Sequence, residues 1–129
     1  MTRRKGCNND VFNQKNAEPL ESTEQTKAVS WMTKANIVFY HVPNGGKRNW
    51  LEAVKFKRLG VKAGIPDLVI PMARKGYHGL YIELKRVSSG ALSDNQKYWL
   101  EELKRQGYDC FVAHGADELI EYVKNYLEI

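Results

Sequence analysis

An α/β fold, with a mixed sheet of at least four strands flanked by helices, is predicted from three features of the sequence. Apolar residues at helical spacing alternate along the chain with short β-branched and aromatic runs. The resulting order is helix, strand, short helix, strand, strand, helix, strand, helix. Two of the short runs, Leu68-Val69-Ile70 and Leu80-Tyr81-Ile82, are joined by the glycine-bearing polar turn Ala73 to Gly79, which reads as a hairpin. Hydrophobic content is 43%, enough for a packed core in a chain of 129 residues, a size that suits one domain.

Residues 1–17 carry Arg3, Arg4, Lys5 and Lys15 among Asn, Gln and Thr without periodicity. They are expected to form a flexible basic arm, with residues 18–129 as the single folded domain. The first helix is expected over about Pro19 to Ala35, with Ala28, Trp31, Met32 and Ala35 facing the core. Proline suits a first helical position. The capping-box match Ser22-Thr23-Glu24-Gln25 would start the helix later, and the sequence leaves that choice open. Ile37 to Val42 is expected as a strand ending at Pro43-Asn44-Gly45-Gly46-Lys47-Arg48, a turn composition. Trp50 to Leu59 reads as a short helix stopped by Gly60. Ser93-Asp94-Asn95-Gln96 matches a capping box and opens a helix at about Asp94, with Trp99, Leu100 and Leu103 apolar and Gly107 at its end. Tyr108 to His114 is expected as the last strand. A final helix follows, N-capped by Asp117, with Leu119, Ile120, Val123 and Leu127 as its stripe.

The net charge is +5 and the pI about 9.2, which favours anionic partners, nucleic acid first among them. No apolar run approaches the length of a membrane span, and the start of the chain lacks the apolar stretch of a secretory signal. Cys7 and Cys110 have no C-x-x-C partners, so a thiolate zinc site is not expected and a cytoplasmic setting is. His41, His78 and His114 show no ligand spacing and are expected to be packed or solvated. His78 draws interest only because it sits in the hairpin turn.

The chemistry concentrates in Gly64-Ile65-Pro66-Asp67, fifteen further residues, then Glu83-Leu84-Lys85. A hairpin brings the start of its first strand beside the end of its second, which makes Asp67 and Glu83 neighbours. Alternation puts Glu83 and Lys85 on one face, with Ile82 and Leu84 on the other. Paired carboxylates repel unless one is protonated or a cation lies between them. Hard cations such as Mg²⁺ take carboxylate oxygen. A metal-held water beside an amine suits hydrolysis of a phosphodiester.

This P-D, spacer, E-x-K pattern resembles the PD-(D/E)XK nuclease superfamily. The wider runs Gly60-Val61-Lys62-Ala63-Gly64-Ile65-Pro66-Asp67 and Gly79 to Lys85 resemble its VRR-NUC branch, in the form carried by small phage proteins, over most of the chain from about Glu21. The resemblance implies a restriction-endonuclease-like core. It implies a Mg²⁺-dependent structure-specific DNA endonuclease, with Mn²⁺ as substitute and no small-molecule cofactor, acting on branched or flapped DNA, with a Holliday-junction resolvase and a homodimer in view. It also implies a phage or prophage source. Asp67 and Glu83 are then the metal-binding and catalytic carboxylates, and the Leu84 carbonyl is a further ligand. Lys85 orients or deprotonates the water, or stabilises the transition state. The spacing Glu21-x-x-x-Gln25-x5-Trp31 resembles the family's opening helix, which implies Glu21 as a further metal ligand with Glu24 as the fallback. The family's L-S-x-x-Q glutamine corresponds to Gln96, in a supporting role at the active site. Asn44, Lys47, Arg48 and Lys62 are the expected nucleic-acid contacts, from the P-N-G-G-x-R turn and from the run before Asp67. The alternatives are a catalytically silent nucleic-acid-binding module of the same fold and a small-molecule hydrolase. The intact D…E-x-K set argues against the first and the basic charge against the second.

Overall fold

A computed structural model describes residues 20–43 and 49–129. In these residues the elements are α1 (Glu21–Lys34), β1 (Tyr40–His41), α2 (Trp50–Arg58), β2 (Leu68–Ile70), β3 (Leu80–Lys85), α3 (Asp94–Arg105), β4 (Asp109–His114) and α4 (Ala116–Leu127). The described strands form one sheet in the order β1-β2-β3-β4. β1 and β2 are antiparallel, as are β2 and β3, whereas β3 and β4 are parallel through the α3 crossover. The fold is α/β with a mixed four-stranded sheet flanked by helices. The expected arm, residues 1–17, lies outside the described residues, as does Pro19.

Alternation along β3 divides the protein into two layers. Leu80, Ile82 and Leu84 are fully buried and join Ala28 and Met32 of α1 and Leu119, Val123 and Tyr126 of α4 in the core cluster. Tyr81, Glu83 and Lys85 point to the opposite face, where α3 begins. Burying an aliphatic side chain is worth about 1.5–3 kcal/mol, so the α1–α4 layer fixes the orientation of β3. That orientation leaves Glu83 and Lys85 no alternative face.

Two expected boundaries move and one open choice closes. The first strand shortens from Ile37–Val42 to Tyr40–His41, because the Ile37 N–H closes the end of α1 on the Met32 carbonyl at 3.0 Å and the side chain sinks into the core. The first helix takes the early start, and Ser22 makes no cap there. The last helix begins at Ala116, one residue before the expected cap Asp117. Gly115, with φ +94°, makes the turn, and a carboxylate from another helix replaces the local cap. Glu24 Oε2 accepts the Ala116 N–H at 2.8 Å. The expected capping box at Ser93 forms in full.

Candidate active site

Asp67 immediately precedes β2. The register pairs Leu68 with Ile82, which sets Asp67 across from Glu83. Both parts of Asp67 are pinned. Its main-chain oxygen accepts from Val42 N–H and lies 2.8 Å from His41 Nδ1, and its Oδ2 accepts the Leu84 N–H at 2.8 Å. The Gln25 side-chain amide lies 3.1 Å from the same ring nitrogen.

Glu83 is only 2% exposed. Its Oε1 accepts from Gln96 Nε2 at 2.8 Å and lies 3.6 Å from Lys85 Nζ. The orientation of the Gln96 amide follows from the start of α3. Its Oε1 accepts the Ser93 N–H at 2.9 Å to close the capping box, which leaves the NH₂ group for Glu83. Gln96 thus caps a helix and positions a carboxylate with the two ends of one side chain. Lys85 is itself buried, its stem under Gly90, where a Cβ would come within 3.2 Å of Lys85 Cδ.

Burial pushes the Glu83 carboxyl up to about 8, and the neighbouring Asp67 pushes in the same direction by its charge and by a shared hydrogen bond. Lys85 opposes the rise, and Glu21 adds a smaller push from the start of α1. Glu21 is therefore near enough to be felt, but it does not complete a closed set. Among the described residues no three His, Cys, Asp or Glu side chains converge as metal ligands. Glu24, the fallback, is turned inward to cap α4.

The donor set fits a hard divalent cation of the Mg²⁺ type. Such an ion uses one or two carboxylates and keeps water and substrate phosphate for its remaining positions. Burial and the facing Asp67 together disfavour charge on Glu83, and a cation between the two carboxyl groups would relieve that stress.

Leu84 contributes its N–H to Asp67. Lys62 is exposed beside α2, and Asn44, Lys47 and Arg48 lie outside the described residues. His78 is exposed at the far end of the hairpin, 5.6 Å edge-on from Tyr108, where Gly107 leaves room for its ring. The histidine at the site is His41, which sequence spacing did not single out. Its signal lay in its place at the end of the first strand, paired with Leu68, the residue after Asp67.

The buried Glu83 and Lys85 beside the half-buried Asp67, set on a hairpin and backed by a helical layer, define a nuclease-type α/β domain. A family model for the VRR-NUC domain matches residues 9–117. A solved structure described as a VRR_NUC domain protein shares 34% identity, with 87% of this chain and 91% of that chain covered and a TM-score of 0.76. No curated protein matches the chain. The chain belongs to the VRR-NUC domain family, a family of nucleases. Among the described residues no helix is long and apolar enough to cross a membrane.

Proposed function

We propose that the protein is a Mg²⁺-dependent, structure-specific DNA endonuclease, with branched DNA such as a four-way junction as substrate and a homodimer as the working form. The observation that carries the reading is the pinned Asp67–Glu83 pair with Lys85 at 3.6 Å. Two matched cuts across a junction need two centres, which a symmetric dimer supplies. Mg²⁺, or Mn²⁺ in its place, held by Asp67 and Glu83 and helped by Glu21 and the Leu84 carbonyl, supplies Lewis-acid activation of water and neutralises charge on the phosphate.

The chain's own residues do the rest. The Leu84 N–H fixes one Asp67 oxygen and so aims the other. Gln96 holds Glu83 and keeps its carboxylate from rotating. The Lys85 ammonium, held by its ion pair with Glu83, stabilises negative charge growing on the phosphate. Asn44, Lys47, Arg48 and Lys62 hold the backbone of the bound DNA. The test is cleavage of a labelled four-way junction beside a linear duplex of the same sequence, with Mg²⁺ and with chelator. Junction-selective cutting that Asp67→Ala abolishes supports the reading. Equal cutting of both DNAs removes the structure specificity. No cutting of either, with salt-sensitive binding kept, favours a silent binding module.

A further inference from the structure

A groove runs between α2 and the start of α3, with a volume of about 430 Å³, a size typical of small-ligand sites. Ala53, Phe56 and Val61 give it an apolar floor. Lys57, Lys62 and Asn95 supply two cations and an amide, and no carboxylate appears in its lining among the described residues. The groove adjoins the candidate active site through covalent neighbours on both sides. Asn95 precedes Gln96, which holds Glu83, and the 61–63 segment leads through Gly64 to Asp67.

Gly64 makes that junction tight. Its φ is +90°, and a Cβ there would lie 2.6 Å from the Asn95 carbonyl carbon. Only glycine lets the segment rest directly on the backbone of α3. The contact ties the groove's lining to the segment that leads into Asp67 and to the helix that holds Glu83.

We infer that this groove takes one unpaired nucleotide next to the scissile phosphate, its base against Phe56 and its phosphate on Lys57 and Lys62. The inference rests on the nuclease reading and deepens it. A paired base cannot leave its stack without cost, whereas a base at a branch point or in a single-stranded arm is already free to enter. The groove then supplies the selection for non-duplex DNA. The charge pattern favours this occupant. Cations beside an apolar floor match a nucleotide, which pairs a phosphate with a stacking face, better than they match a wholly apolar partner.

The test uses the full chain in chelator, so that binding is read without cleavage. One DNA carries 2-aminopurine at the first unpaired position of a short single-stranded arm. The control is the fully paired duplex with the probe inside. Wild type should bind the armed DNA more tightly and quench the probe. Phe56→Ala should weaken armed-DNA binding about tenfold and restore the fluorescence, with duplex affinity nearly unchanged. Phe56→Leu, which keeps the apolar volume and loses the stacking ring, carries the test if the alanine variant fails to fold. Lys62→Gln should lower the salt dependence of binding by about one counterion. Equal losses on both DNAs, or a probe whose fluorescence ignores Phe56, overturn the inference. The two readings fail separately. Mg²⁺-dependent cutting without arm preference removes the groove alone, and arm-selective binding without cutting removes the nuclease reading alone.

Discussion

Replacing Glu83 by glutamine separates the electrostatics of the centre from its packing. The glutamine is nearly isosteric. It can still accept from Gln96 and can donate to Asp67, so it mimics the protonated carboxyl. In the folded protein Glu83 ionises near 8, against an ordinary value of 4.5. Between those limits the folded state holds a proton that the unfolded chain has released. Stability therefore falls as pH rises from about 4.5 to about 8, and the loss is complete above that. At about 1.4 kcal/mol per pH unit the ceiling is about 5 kcal/mol. Local opening to water relieves part of the penalty, so a realistic loss is about 2–3 kcal/mol. For a domain of this size that corresponds to about 10 °C in Tm. The assay is thermal unfolding of wild type and Glu83→Gln in chelator from pH 5 to 9, read as the difference between the two proteins so that other groups cancel. The variant should gain on wild type steadily up to about pH 8. Added Mg²⁺ should raise the wild-type Tm more at high pH than at low, and should leave the variant nearly unmoved. A difference curve that is flat, or that favours wild type as pH rises, would refute a Glu83 raised by burial and by the charge of Asp67.

Other consequences are read by simpler measurements. Asp67→Ala and Lys85→Ala should each lower DNA cleavage by a factor of about 10³ or more while leaving affinity in chelator within a few-fold of wild type, on the scale of losing a charge-stabilising group. Glu24→Ala should cost about 1–3 kcal/mol of stability in a melting assay, because the buried Ala116 N–H loses its acceptor, while cleavage per folded molecule stays near wild type. Gln96→Ala should reduce both stability, by about 1 kcal/mol from the lost capping box, and cleavage. Gly64→Ala should destabilise by several kcal/mol, since its positive φ and the contact with Asn95 leave no room for a methyl group, and circular dichroism melts will show whether α3 loosens with it.

The strongest sequence signals were those in which one local rule governs a residue. The hairpin, the capping box at Ser93 and the alternation of Ile82, Glu83, Leu84 and Lys85 are all set by neighbours a few positions away, and each appears in the structure. The failures are contacts made across the chain. Asp117 looks like a cap because it has the right residue type, but Glu24, 92 positions away, takes the bond to Ala116 instead. Ile37 reads as strand from its branched side chain, but it completes α1 and fills the core. Only the family spacing favours Glu21 over Glu24 in the sequence. Helical geometry separates them, because three residues of rotation turn Glu24 into the α1–α4 interface and leave Glu21 at the exposed start of the helix.

The same long-range logic explains why His41 reads in the sequence only as a packed or solvated residue. It has no ligand spacing and acquires meaning only when β1 pairs with β2 and brings its ring to the Asp67 carbonyl and the Gln25 side chain. The candidate site is thus assembled from two kinds of information. Asp67, Glu83 and Lys85 are brought together by one hairpin and its alternation, whereas the groups that hold them come from separate elements. Leu84 supplies an N–H from within the hairpin, Gln96 reaches in from α3, and His41 reaches across from β1. A mutation in any supporting element should therefore act on the carboxylates through geometry rather than charge, and its effect should be largest where the support reaches a buried oxygen, as with the Gln96 bond to Glu83.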